Sequence, residues 1–328
     1  MNALERRSTF ALSSIFALRM LGLFMIVPVF SVAGQSYQYA TPALIGLAVG
    51  VYGLTQALLQ IPFSLIADRF SRKPLIIIGL LLFALGGAIA AMSETIYGVI
   101  IGRAIAGGGA VSAVVMALLA DVTREENRMK AMATMGMSIG VSFVIAFSLG
   151  PWLTGVMGIS GLFWVTTLMG LLAIGMVFMV PKTTRHHKNF QQGYLTQLKQ
   201  VLKMKDLNRL HVSVFTLHLL LTAMFIYVPS QLINFADIPL SSHGLVYLPL
   251  LVISLFFAFP SIILAEKYRK MRGIFLTAIA GIIAGLLVMI FGFESKYVLL
   301  LGLGLFFIAF NVMEALLPSW LSKAAPIQ

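Results

Sequence analysis

Long apolar runs alternate with short polar breaks along the whole chain, and this rhythm predicts the architecture. Runs of membrane-crossing length stand near 10–33, 43–66, 74–93, 96–120, 131–152, 160–180, 210–233, 245–265, 273–292 and 297–321. Each is long enough to cross a hydrocarbon core of roughly 30 Å as a helix rising about 1.5 Å per residue. The runs are continuous and lack the two-residue alternation of barrel strands. The pattern predicts an all-α polytopic membrane protein of about ten transmembrane helices in a 6+4 arrangement. The polar stretch 181–209 divides the two groups. It carries Lys182, Arg185, Lys188, Lys199, Lys203, Lys205 and Arg209 against one acid, Asp206. Tyr194, Leu195, Leu198, Val201 and Leu202 recur there at helical spacing, which reads as a basic amphipathic helix on the membrane surface. The expected division is a six-helix bundle over 1–180, this linker, and a second bundle over 210–328.

Composition agrees, since 59% of residues are hydrophobic and only 10% charged, outside the range of soluble domains. A net charge of +12 would suit nucleic acid, but its distribution speaks against that. Arg19 and Arg103 lie within spans and Lys296 on the far side, leaving 20 of the 23 Lys and Arg on the side of the N-terminus. That asymmetry is the positive-inside pattern and places both termini in the cytoplasm. Residues 1–33 mimic a signal peptide ending at Ser31-Val32-Ala33, but the apolar part is long and contains Arg19, so an uncleaved first span is expected. The absence of cysteine excludes disulfides, iron–sulfur clusters and thiolate zinc sites. Neither a phosphate-binding Walker loop nor a dinucleotide fingerprint occurs. His186-His187 lacks supporting ligands, so no metal, cofactor or enzymatic chemistry is expected.

The break at 63–78, "FSLIADRFSRKPLIII", sets one acid among three bases. Its core "LIADRFSRK" at 65–73 returns in character as "ILAEKYRKM" at 263–271, an offset of 198 residues from Leu65 to Ile263. At the same offset Pro62 meets Pro260, Asp68 meets Glu266, and Ala117-Leu118-Leu119 meets Ala315-Leu316-Leu317. Two homologous halves in parallel orientation follow, a relation known from transporters. Projected through that repeat, the second half lacks counterparts of spans five and six. A truncated product or a fragment of a twelve-span protein is therefore expected.

These stretches, with "LRMLGLFMIVPV", "DVTREENRMKAMA" and "FNVMEALLPS", resemble the bacterial drug:proton antiporters of the major facilitator superfamily, the YajR-like members in particular. The resemblance covers about residues 6–326. The family's loop signature, small-x-leucine-small-Asp-Arg-x-Gly-Arg-Lys, reads here Ser64-Leu65-Ile66-Ala67-Asp68-Arg69-Phe70-Ser71-Arg72-Lys73. Serine replaces both small glycines, and Ser71 falls where a positive φ or a different turn is expected. The resemblance implies that Asp68, Arg69, Arg72 and Lys73 form a conformational lock. In it the acid faces the N-terminus of span eleven, a favourable place for a carboxylate. Here Asp68 would keep its basic neighbours with Arg124 and Arg128 of the next cytoplasmic loop. A second signature on span four appears as Arg103-Ala104-Ile105-Ala106-Gly107, and a third on span five keeps Gly150-Pro151, where a helix bend or an ordinary kink is expected.

Ionisable residues inside spans are functional candidates by default. The resemblance implies a central cavity lined by spans one, four, seven and ten. Glu314 on span ten is then a candidate proton carrier, a static partner of Arg19, or a side chain snorkelling to the headgroups. Arg103 either modulates proton affinity, as the resemblance implies, or is bonded to backbone carbonyls as a structural arginine. His218 on span seven is a titratable cavity candidate. Gln56, Gln60 and Asn311 either meet substrate or make polar contacts between helices. The function implied is proton-coupled efflux of amphipathic compounds by alternating access, in a monomer of the bacterial inner membrane. The alternatives are a transport-inactive sensor or scaffold and a non-functional truncated product.

Overall fold

The computed structural model describes residues 1–109, 111–181, 203–292 and 294–324, without the side chains of Arg69, Glu266 and 322–324. The expected linker helix therefore lies largely outside the described residues. The chain forms two compact units, Met1–His187 with Leu240–Gly244, and Lys188–Pro239 with Leu245–Gln328.

In the first unit α1 (Ala3–Ala33) opens with a reciprocal cap. The Asn2 side chain accepts from the Glu5 amide and the Glu5 carboxylate from the Asn2 amide, each at 2.8 Å. Thr41 caps α2 (Pro42–Arg69), whose first residue is a proline that has no N–H to leave unsatisfied. After α3 (Arg72–Met92), Thr95 caps α4 (Ile96–Gly108). The fourth run continues as α5 (Ser112–Val122) beyond a break at which Gly109 and Val111 touch Gly79 of α3. Ser71 has φ −62 and ψ 132, ordinary extended backbone, so the expected positive φ is not needed there. The corresponding turn of the second unit does carry one, at Arg269 with φ 55.

The last helix of this unit, α6 (Glu125–Val177), has 53 residues, about 80 Å at about 1.5 Å each and far more than one crossing needs. Its neighbours show that it crosses twice. Ser138 and Ser142 donate to the carbonyls of Ser13 and Ala17 at 3.3 and 3.2 Å, so the first arm runs parallel to α1. Beyond Gly158 (φ 70, ψ 178) the order inverts. Phe163 meets Phe30, Thr166 reaches the Gly22 carbonyl, and Val177 packs in the cluster of Ala11 and Ile15. Glycine at 158 supplies the positive φ that this reversal requires. The reversal of α6 is thus at Gly158, and Gly150-Pro151 lies within helical backbone. There a Cβ on Gly150 would stand 2.5 Å from the Met25 carbonyl oxygen, so its role is close approach to α1.

The second unit contains α7 (Lys205–Asn234), most of α8 (His243–Lys267), α9 (Met271–Gly292) and α10 (Lys296–Ala324). Among the described residues nine helices are long and apolar enough to cross a membrane, and counting α6 twice recovers ten crossings. Lipid removes the hydrophobic drive that brings apolar helices together in water, so contact rests on small residues and interhelical hydrogen bonds. Gly86 of α3 meets Gly102 of α4 backbone to backbone, and Gly285 of α9 meets Gly302 of α10 in the same way. Large apolar side chains such as Leu58, Ile101, Phe256 and Phe259 remain exposed, which a surrounding bilayer tolerates and water does not.

Candidate functional site

Three polar clusters interrupt the apolar packing. The first lies at the helix ends on the N-terminal side. Arg72 Nε stands 3.0 Å from Asp121 Oδ2, close enough for an ion pair although its N–H does not point at the oxygen. Asp68, one turn before Arg72, is 3.9 Å away. The pairing has a clear cause. Arg72 opens α3 and Asp121 lies in the last turn of α5, so each charge sits where its own helix dipole disfavours it. Together they offset both penalties. Lys73 donates to the Val180 carbonyl, the Arg69 side chain lies outside the described residues, and Arg128 is exposed.

Arg124 does not pair with Asp68 as the sequence suggested. It pairs with Glu5, whose Oε1 accepts from both the Arg124 amide and Nε at 3.0 Å. Asn127 and the Asn2 amide donate to Oε2, so this 3% exposed carboxylate gathers donors from three sources. Arg124 is the N-cap of α6, so its backbone N–H has no partner within the helix. A buried carboxylate that satisfies this amide and the guanidinium together outcompetes an exposed Asp68.

The second cluster surrounds the buried arginines of the first unit. Arg19 on α1 donates through Nη1 to Ser112 Oγ, and through Nη2 to Tyr52 Oη at 3.3 Å and Gln56 Oε1 at 3.1 Å. Its buried Nε has no hydrogen-bond partner. Arg103 donates Nε to the Ala48 carbonyl at 3.2 Å and lies 4.7 Å from the centre of the Tyr52 ring. Tyr52 therefore serves both cations, with its hydroxyl toward Arg19 and its ring face toward Arg103. Every one of these partners is neutral. Arg103 has the carbonyl bond expected of a structural arginine, Gln56 is committed to Arg19, and Gln60 lies half-buried one turn along α2.

The third cluster lies in the second unit. His218 Nε2 on α7 stands 3.6 Å from Glu314 Oε2 on α10, and the other ring nitrogen is 2.9 Å from the Val214 carbonyl. A carbonyl oxygen only accepts, so Nδ1 carries a hydrogen. Nε2 then faces the carboxylate, and both side chains are about half exposed. Asn311, one turn from Glu314, donates to Ser254 Oγ of α8 at 2.8 Å and to the Phe307 carbonyl at 3.0 Å, a polar contact between helices.

The sequence pattern of the Major Facilitator Superfamily matches residues 12–327. The chain belongs to the Major Facilitator Superfamily. Within it, the inner membrane transport protein YajR of Escherichia coli strain K12 is 44% identical over 324 residues, covering 98% of this chain and 71% of the relative. Multidrug resistance protein 1 of Bacillus subtilis strain 168 is 27% identical over 198 residues, 59% of this chain and 50% of that protein. Among solved structures, a bacterial homolog to the human lysosomal transporter Spinster, inward-facing and occupied, aligns with a TM-score of 0.78 at 16% identity. The alignment covers 97% of this chain and 74% of that one, and it is a likeness of fold. As a Major Facilitator Superfamily member, the chain is a multi-pass membrane transporter.

Several residues of these clusters escape a reading of the sequence alone. Glu5 was visible as the acid of an Asn2-x-x-Glu5 cap. Tyr52, Ser112 and Asp121 carry no local signal, because each becomes informative only beside an arginine from another helix.

Proposed function

We propose that this transporter is a proton-coupled exporter of amphipathic compounds, working by alternating access in a bacterial inner membrane. The observation that carries the reading is the His218–Glu314 pair, an imidazole and a carboxylate facing each other between two helices of one unit. Imidazole and carboxylate are side chains suited to taking up and releasing a proton in each cycle. Similarity to a multidrug resistance protein favours export of varied apolar compounds. Arg19 and Arg103, held by neutral groups, supply fixed positive charge, and the Arg72–Asp121–Asp68 cluster is the conformational lock.

The test is an everted membrane vesicle loaded with protons and reported by a pH-sensitive dye. Addition of an amphipathic substrate is expected to release protons from vesicles containing this chain and not from empty ones. A silent dye across a panel of such compounds would favour the sensor or scaffold reading instead.

The orientation proposed has both termini in the cytoplasm, on the charge asymmetry. The chain has no cysteine, so single cysteines report it directly. In intact cells an impermeant maleimide is expected to label Lys296→Cys and to spare Lys130→Cys, both being exposed positions. The opposite labelling would invert the topology.

A further inference from the structure

On the face of the bilayer opposite the N-terminus, the first unit contains an open cavity of about 470 Å³. It is built by three turns, those joining α1 to α2, α3 to α4, and the two arms of α6 at Gly158. The turns hold one another. Gln38 donates its amide to the Glu94 carbonyl at 3.0 Å and accepts from the Ile96 amide at 3.1 Å, a single parallel bridge. The cavity is therefore formed before any ligand arrives.

Its lining has an unusual polarity. Ser36 Oγ donates to the Ala33 carbonyl at 2.7 Å, Ser93 Oγ to the Ile89 carbonyl at 2.6 Å, and Ser160 Oγ to the Ala91 carbonyl. Each hydroxyl has spent its only hydrogen on the backbone and offers lone pairs. Glu94 adds an exposed carboxylate that forms no ion pair among the described residues. Tyr37 completes the lining at 8% exposure, and its hydroxyl has no hydrogen-bond partner. Burial pushes its phenol up to about 12, so it remains a neutral hydroxyl at working pH. The walls are rich in acceptors and carry one negative charge.

We propose that this cavity binds a primary alkylammonium ion, with Glu94 as its counter-charge and the serine oxygens as acceptors of its N–H groups. An ammonium brings three donors and no acceptor, the complement of such walls. A divalent metal fits poorly, because it takes several carboxylate or carbonyl oxygens at once, and no group of metal-binding side chains occurs among the described residues. The ammonium has two possible sources, a free amine or the ethanolamine headgroup of an outer-leaflet lipid.

Titration calorimetry of the purified full chain in detergent with butylammonium chloride tests the site. Saturable binding is expected, and tetramethylammonium, equal in charge but without N–H, should bind at least about tenfold more weakly. Glu94→Gln should weaken butylammonium by about tenfold or more, and Tyr37→Phe, which removes a hydroxyl buried behind the wall, should leave binding unchanged. Glu94 is exposed, so its substitution leaves folding intact, which a thermal melt confirms. No saturable heat, equal binding of tetramethylammonium, or an unchanged Glu94→Gln would overturn the proposal. Repeating the titration in nanodiscs separates the sources. Competition by phosphatidylethanolamine and not by phosphatidylcholine marks the lipid, and undiminished binding in both marks a free amine. Either result upholds the site. Binding is read without transport, so its failure would leave the export reading standing.

Discussion

Glu314→Gln is expected to abolish proton-driven export, lowering the coupled rate by about a hundredfold or more, the scale of losing a proton-transferring group. Glutamine copies the shape of the protonated acid, and its amide can donate to His218 Nε2 without any exchangeable charge. Substrate should still bind, and energy-independent exchange should persist. Stability separates this from a purely structural role. The two side chains are 50% and 47% exposed, and a pair so open contributes only about 0–1 kcal/mol. The melting temperature of Glu314→Gln should therefore barely move while pumping stops. Wild-type pumping by this variant would place the proton elsewhere. A large fall in melting temperature with binding lost would mark the pair as structural.

Gly86→Val is expected to cost about 3 kcal/mol or more, at or beyond the upper end of overpacking penalties. A Cβ at this position collides with the Gly102 carbonyl and with Ala106 backbone atoms of the facing helix. Flexible side chains can yield to an intruding methyl, but two helix backbones can only separate. Separation would also displace Arg103, the neighbour of Gly102, from the Ala48 carbonyl and the Tyr52 ring. Gly136→Val is the control, since its Cβ meets nothing within 4 Å, and valine there should cost well under about 1 kcal/mol. Thermal unfolding in detergent measures both. Equal stability of the two variants would show that α3 and α4 tolerate a wider crossing.

The helix spans were legible because hydropathy is a property of consecutive residues, and a run long enough to cross a bilayer needs no partner to be recognised. The Asp68–Arg72 relation was legible for the same reason, four residues on one backbone. Double passage of α6 was half legible. The two runs 131–152 and 160–180 announced two crossings, but the structure puts the reversal in one residue, Gly158, inside what is otherwise uninterrupted helix. Ser71 shows the converse. A family pattern with glycine there suggested positive φ, and the chain instead takes an extended residue before α3.

By itself the sequence determined the helical class, the number of crossings and the side on which basic charge collects, all of which follow from local composition and the bilayer's thickness. It also placed Arg19, Arg103, His218 and Glu314 within apolar runs. Only the tertiary structure decided which partners the charged residues meet. Arg124 took Glu5 across 119 positions of chain, Arg19 took Tyr52, Gln56 and Ser112 from two other helices, and Glu314 took His218. Such pairings depend on the rotation and depth of each helix about its neighbours. Those are set by where small residues let backbones approach, as at Gly86 with Gly102 and Gly150 with Met25, and no periodicity within a single helix encodes the angle at which another will meet it.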